Sequence, residues 1–284
     1  MSLKTFQPSP LLKPYVTALW DYQDLLGGTS LAFSILPDTA TYLCFLYDDL
    51  LTTAHKDRTY TTRSGLAGFQ SFRSDLGGAG RISGVSARLT PWGLNVFRRG
   101  IVKECAEQRV DCRDIFPKYT IEQIEDQLAL KPTAAERVHY IEHFLLSLLN
   151  KNNHDLLIQT ACQELNKTHG NYPIASLARS FGLTERTLAR RFQTHIGTTP
   201  KRYARIVRLR NAIFQRNTLS NWADVAHAAG YYDQSHMIHE FQEFYGLSPE
   251  AIYPQMTNST TIQFSGLLNL GRTKTDSVFK TESV

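Results

Sequence analysis

Five residues near the C-terminus occur twice at almost the same spacing. Ala178, Gly182, Phe192, Gly197 and Pro200 stand 4, 10, 5 and 3 residues apart, and Ala226, Gly230, Phe241, Gly246 and Pro249 repeat the series as 4, 11, 5 and 3. A small residue one helical turn before a glycine lets two helices cross closely, and the glycine accepts the backbone of the tight turn between them. The aromatic that follows falls on the inner face of the second helix. That is the layout of a helix-turn-helix, whose second helix stands out from the body and can enter the major groove of DNA. Two such units, offset by 48 residues, confine this part of the chain to an all-α arrangement.

Charge is unevenly divided. From Lys167 to Arg216 there are eleven Lys and Arg against the single acid Glu185, whereas Asn217 to Met256 has five acids and no Lys or Arg. Residues 1–166 nearly balance, with seventeen basic and eighteen acidic side chains. A basic segment coinciding with the first repeat is the electrostatic footprint of phosphate binding. Charge alone is equally compatible with a solvated basic face.

The remainder points to an α+β chain: a β-rich N-terminal domain followed by an all-α C-terminal domain with two helix-turn-helix units joined by a long helix. Residues 1–118 carry short β-branched and aromatic runs, such as Ala40–Tyr47, punctuated by glycines. Residues 119–154 change to a helical period. Thr120 with Gln123 and Thr133 with Glu136 fit capping boxes, and Val138, Ile141, Phe144, Leu145, Leu148 and Leu149 form one stripe. The polar run Asn150–Asp155 marks a boundary, residues 155–257 form the helical domain, and the Ser/Thr-rich tail 258–284 is expected to be mostly flexible.

Within 155–257, Leu156–Thr168 is expected to be helical with Leu156, Leu157, Ala161 and Leu165 inward, followed by a supporting helix Ile174–Phe181 behind Pro173. Thr184 then caps a reading helix whose Leu188, Phe192 and Ile196 are buried. Arg186, Ala189, Arg190 and Gln193 occupy its opposite face. Arginine forks onto guanine O6 and N7, and an amide suits adenine or phosphate. Pro200–Asn217 forms the joining helix, packed through Tyr203, Ile206, Val207, Ala212 and Ile213. Lys201, Arg202, Arg205 and Arg208 fall outside that set and are expected, with Thr184 and Arg191, to follow phosphates. Asn221 and Asp233 cap the next two helices, and Met237, Phe241, Phe244 and Tyr245 supply core.

The run from Gly230 to Phe241, with Phe244, Tyr245, Gly246, Leu247, Ser248 and Pro249, closely resembles the signature of the AraC/XylS family of bacterial transcription regulators. The resemblance covers about residues 155–257. It implies two units in successive major grooves, with base contacts at Arg186, Ala189 and Arg190 and at Gln234, Ser235 and His239. It also implies a transcription regulator, activator or repressor, with double-stranded DNA as partner. The second unit departs from the pattern at His239 and Ile238, and Glu240 and Glu243 are expected to repel phosphate. The first unit and the joining helix are therefore expected to dominate affinity. His239 could titrate or pack uncharged. The N-terminal half has a weaker likeness to sensor domains, through Ser83–Gly100 and Asp111–Phe116, which implies an input for a small-molecule effector or a protein. RNA polymerase and a second copy of the chain, through the Thr133–Leu149 helix, are further candidate partners.

Other classes lack support in the sequence. No nucleophile elbow, P-loop, Rossmann glycine series or zinc-protease helix is present, Gly77–Gly80 suits a hairpin turn, and His55 has no companion ligands. No enzyme activity, cofactor or metal is expected. No apolar run approaches the ~20 residues of a membrane helix, and the first ten residues lack a secretory signal's apolar core. Cys44, Cys105, Cys112 and Cys162 have no paired spacing, so reduced thiols in the cytoplasm are expected. Cys105 and Cys112 sharing a helix face as a redox pair is the alternative. Tyr15, Trp20, Tyr42, Phe45, Tyr47, Phe69 and Trp92 either fill core or line a pocket. The acidic second unit serving as a protein-binding surface is a further reading.

Overall fold

A computed structural model describes residues 2–24, 31–55, 58–78 and 81–257 of the 284. Ten strands form the first domain: Ser2–Phe6 (β1), Val16–Gln23 (β2), Leu31–Ile35 (β3), Thr41–Leu46 (β4), Leu51–His55 (β5), Arg58–Thr62 (β6), Ser64–Ala67 (β7), Ser74–Gly78 (β8), Gly84–Leu89 (β9) and Arg109–Asp111 (β10). They make a six-stranded sheet ordered β1-β2-β9-β4-β7-β10 and a four-stranded sheet ordered β3-β8-β5-β6. Among the described residues, all the pairings are antiparallel.

Register assigns the two faces of the larger sheet. One cross-strand row runs Asp21, Val85, Phe45, Ser64 and the next Leu19, Ala87, Leu43, Leu66, Val110. This apolar face meets Lys118–Leu130 (α4) and Ala134–Leu148 (α5), which follow three one-turn helices, Leu94–Phe97 (α1), Val102–Cys105 (α2) and Cys112–Ile115 (α3). Phe45 meets Phe144 edge to face at 5.8 Å. The two polar residues in those rows are matched from the helices. Arg137 forks onto Asp21 at 2.6 and 3.0 Å, and Glu125 accepts from the Ser64 hydroxyl at 2.7 Å. The opposite face, with Trp20, Tyr22, Tyr42, Cys44, Ser86, Arg88 and Arg109, turns toward the smaller sheet, whose Leu51 clusters with Tyr22, Leu46 and Ile82.

Helices Leu156–Lys167 (α6), Ile174–Ser180 (α7), Glu185–His195 (α8), Pro200–Arg216 (α9), Trp222–Ala228 (α10), Gln234–Tyr245 (α11) and Pro249–Thr257 (α12) complete the chain. A single apolar cluster runs from Leu12 to Ile252 through both halves. The polar run at the expected boundary thus interrupts the chain but not the core.

Several local expectations are corrected. α4 starts at Lys118 behind Pro117, so Thr120 lies inside the first turn and caps nothing. Thr133 does cap α5, accepting from the Glu136 amide. Leu156 is exposed, and Ile158 fills the inward position. Cys105 ends α2 while Cys112 begins α3, with β10 between them, so they share no helix. Phe69 stacks on Tyr203 of α9 at 6.4 Å and the Trp92 indole donates to the Pro14 carbonyl, so these two fill interfaces. Gly77 and Gly78 pair with β3 inside β8 rather than forming the expected turn, and residues 79–80, the tail 258–284 and the His55 side chain lie outside the described residues.

Candidate nucleic-acid interface

The two repeats fold with the same local features. In the first, Ala178 ends packed at 1% exposure, Gly182 takes φ +66°, and the Leu183 amide donates to the Ala178 carbonyl at 2.9 Å. In the second, Ala226 is 1% exposed, Gly230 takes φ +82°, and the Tyr231 amide donates to the Ala226 carbonyl at 2.9 Å. Thr184, Asn221 and Asp233 each cap the following helix by accepting from the amide three residues on. Leu188 and Phe192 anchor α8, and Met237, Phe241, Phe244 and Tyr245 anchor α11.

The reading faces are open. Arg186 and Arg190 are exposed and Ala189 is half-buried between them. Gln193 is half-buried and its amide donates to the Gly197 carbonyl at 3.2 Å, so it holds the helix end rather than projecting outward. On α11, Ser235 and His239 are exposed, while Gln234 and Ile238 are half-buried. An imidazole packed away from solvent is therefore not the state of His239.

The joining helix α9 departs from the expected phosphate-tracking row. Lys201 is exposed, but the arginines beyond it are engaged within the chain. Arg202 donates to the Ser71 hydroxyl at 2.8 Å, lies 3.8 Å from the Glu107 carboxylate and covers the Phe72 ring. Arg205 donates to Glu240 at 2.7 Å and to Glu243, and stacks on Phe244. Arg208 donates to the Gly170 carbonyl at 3.3 Å and covers Tyr231. Arg191 of α8 pairs with Asp155 at 2.7 Å. A planar, weakly hydrated guanidinium suits such buried forks and ring stacks, which a net-charge count cannot register. Glu240 is 3% exposed, and its carboxylate with that of Glu243 neutralises Arg205 instead of facing outward. The hydrogen bonds from Arg205 hold the Glu243 carboxyl below its ordinary range.

These pairs fix the geometry of the domain. Arg205 ties α9 to α11, and the Asn171 amide ties the first unit to the second by donating to the Ala229 carbonyl at 3.1 Å. A cleft of about 530 Å³ opens between the units, lined by Lys201, Arg205, Arg208, His236 and Glu240. At the rim of the first unit, burial depresses the His195 pKa although Asp155 lies 3.3 Å away.

The side chains that dock the first domain on this one carry no signal in the sequence. Asp38 accepts from Arg210 of α9, Ser71 and Glu107 receive Arg202, Asn95 donates to the His195 carbonyl at 3.0 Å, and the Arg73 amide donates to the Phe244 carbonyl. Each pair is distant in the chain and carries no local pattern.

Residues 177–253 match the family described as a helix-turn-helix domain. Over 84 residues the chain is 36% identical to the HTH-type transcriptional activator RhaS of Pectobacterium carotovorum, and over 83 residues 35% identical to RhaS of Pectobacterium atrosepticum. These alignments cover 28% of this chain and 29% of each relative, so the chain spans under a third of the curated relatives it matches. Among solved structures, ToxT from Vibrio cholerae aligns over 91% of this chain and 100% of its own, at 10% identity and a TM-score of 0.48.

Proposed function

We propose that this chain, whose residues 177–253 form a helix-turn-helix domain of the AraC/XylS type, is a sequence-specific DNA-binding transcription regulator. In this reading α8 and α11 enter successive major grooves on one face of the duplex. The observation that carries it is the pair Arg186 and Arg190, exposed on a capped helix that Leu188 and Phe192 anchor to the body. Guanine edges are their natural targets.

Affinity is assigned mainly to the first unit. Arg186 and Arg190 are exposed on α8 and Lys201 at the start of α9, whereas α11 offers Gln234, Ser235 and His239. Thr184 serves by capping α8, which leaves the remaining helix amides available to a phosphate. The arginines of α9 act chiefly as the frame that sets the separation of the two reading helices. The first domain is assigned as the input for an effector, because its Asp38, Ser71 and Glu107 are bonded to α9 itself.

Selection of bound duplexes by the full-length chain, followed by footprinting at several salt concentrations, tests this reading. Protection of close to two helical turns, with affinity falling steeply with salt, is the expected result. Absence of salt-sensitive affinity for any duplex would overturn it.

A further inference from the structure

The inner face of the first domain carries a charge with nowhere to go. Arg109, on β10, is 4% exposed, yet among the described residues its Nε and Nη2 have no hydrogen-bond partner. A buried, uncompensated guanidinium is among the costliest things a fold can retain, and buried unsatisfied groups commonly mark the place of a missing partner.

The surroundings are built rather than accidental. Register places Arg109 in a row with Ala67, Tyr42 and Arg88, and the adjacent row holds Gly65, Cys44, Ser86 and Trp20. The floor is kept low by two glycines. A Cβ on Gly65 would stand 2.4 Å from Arg109 Nε, and one on Gly84 would stand 2.9 Å from the Tyr22 hydroxyl. The Ser86 hydroxyl donates to Tyr22 at 3.2 Å, which leaves the Tyr22 proton unspent. From the smaller sheet, Thr62 is paired with Leu51 of the inner cluster, and Tyr60 lies two residues away on the same face. The hydroxyls of Thr62 and Tyr60 are also buried without partners among the described residues. Trp20 and Tyr42, on the same sheet face as Arg109, stack at 6.5 Å and supply an aromatic wall.

We propose that the space between the two sheets binds a small organic carboxylate, held by Arg109 as its counter-ion, with the Tyr22, Tyr60 and Thr62 hydroxyls as further donors and the Trp20–Tyr42 stack against its apolar body. A guanidinium fork matches a carboxylate in charge and shape, and one charged anchor within aromatic walls is the usual make-up of a small-molecule pocket. The inference rests on the effector-domain reading above and names the chemistry of that effector. It also supplies a route to α9, since Arg88 and Tyr42 of the same rows bond Asp38, which bonds Arg210.

The test is thermal unfolding of the full-length protein with phenyl-substituted and straight-chain monocarboxylates of graded length, each beside its matching alcohol, and with inorganic phosphate. At least one carboxylate is expected to raise Tm where its alcohol and phosphate do not, and Arg109→Gln is expected to abolish the rise. Without any ligand, Arg109→Met is expected to unfold at higher temperature than the unsubstituted protein, because an unpaired buried charge has been removed. An equal response to alcohols or phosphate, no response to any carboxylate, or a lower Tm for ligand-free Arg109→Met would overturn the proposal. DNA binding measured on the same samples separates the two readings: an intact salt-dependent affinity with no carboxylate response sinks this inference alone.

Discussion

Asp38 and Arg210, 172 residues apart in sequence, join the two domains through a carboxylate–guanidinium contact of 2.5 Å. Asp38 is 4% exposed and also accepts from Arg88 at 2.9 Å and from the Tyr42 hydroxyl at 2.5 Å. Burial alone would raise its pKa. The Arg210 and Arg88 guanidiniums outweigh that effect and hold the carboxyl far below the ordinary range. Asp38→Asn leaves two cations short of a partner and is expected to lower unfolding stability by about 3–5 kcal/mol at pH 7, read by urea denaturation. Because the folded pKa is depressed, the carboxylate's contribution is complete above the unfolded value of about 3.9 and fades as pH falls below it. The stability deficit of Asp38→Asn should therefore shrink below about pH 4. An unchanged deficit at pH 3 would place the stabilising role elsewhere.

Glu240 and Glu243 share one arginine but differ in burial, with side chains 4% and 33% exposed. Glu240→Ala removes the buried partner of Arg205 Nε, leaves the guanidinium to Glu243 alone, and is expected to cost about 1.5–3 kcal/mol of stability. Glu243→Ala breaks the more exposed contact and is expected to cost under about 1 kcal/mol. The same Glu243→Ala change loosens Arg205 toward solvent, so DNA affinity should rise modestly at low salt. Parallel denaturation and DNA-binding measurements check both outcomes, and equal stability losses would contradict the burial argument.

What the sequence made legible was local. Ala178, Gly182 and Phe192, the caps at Thr184, Asn221 and Asp233, and the β4 run were visible because each rests on neighbours within about a dozen residues. The destinations of the arginines were not. Arg205 reaches a glutamate 35 residues ahead and Arg202 a serine 131 residues behind, and both belong to a helix whose spacing alone suggested an outward face. Thr120 and Leu156 were misplaced for a related reason. A capping pair or an apolar position is a local preference, and Pro117 and the packing of Ile158 settled those ends instead. Arg109 had no local signal, since its lack of a partner is defined only by what the two sheets enclose.

Arg190 and Gln234 test the division of labour between the reading helices. Arg190 is exposed, whereas Gln234 is half-buried at the start of α11. Arg190→Ala is expected to weaken binding by about 1–3 kcal/mol and to relax specificity at one base pair. Gln234→Ala should cost less than Arg190→Ala in the same assay. The reverse ranking, in a binding titration at fixed salt, would transfer the dominant contact to the second unit.

Gly170 and Gly182 both adopt left-handed backbone, at φ +77° and +66°, yet their surroundings differ. A Cβ on Gly182 meets nothing within 4 Å, so Gly182→Ala should carry only the left-handed penalty of about 1–2 kcal/mol. A Cβ on Gly170 would lie 2.1 Å from the Ala204 carbonyl oxygen and 2.9 Å from the Arg208 amide nitrogen. Those are backbone atoms of α9 that cannot step aside without moving the helix. The Gly170 carbonyl also accepts from Arg208, and the neighbouring Asn171 carries the bond to Ala229 that links the two units. Gly170→Ala is therefore expected to destabilise the protein more than Gly182→Ala and to disturb the spacing of α8 and α11. Footprinting should show the protected length contract toward a single helical turn, while first-unit contacts persist. A full-length footprint together with equal stability losses in the two variants would mean that this close approach does not set the separation of the reading helices.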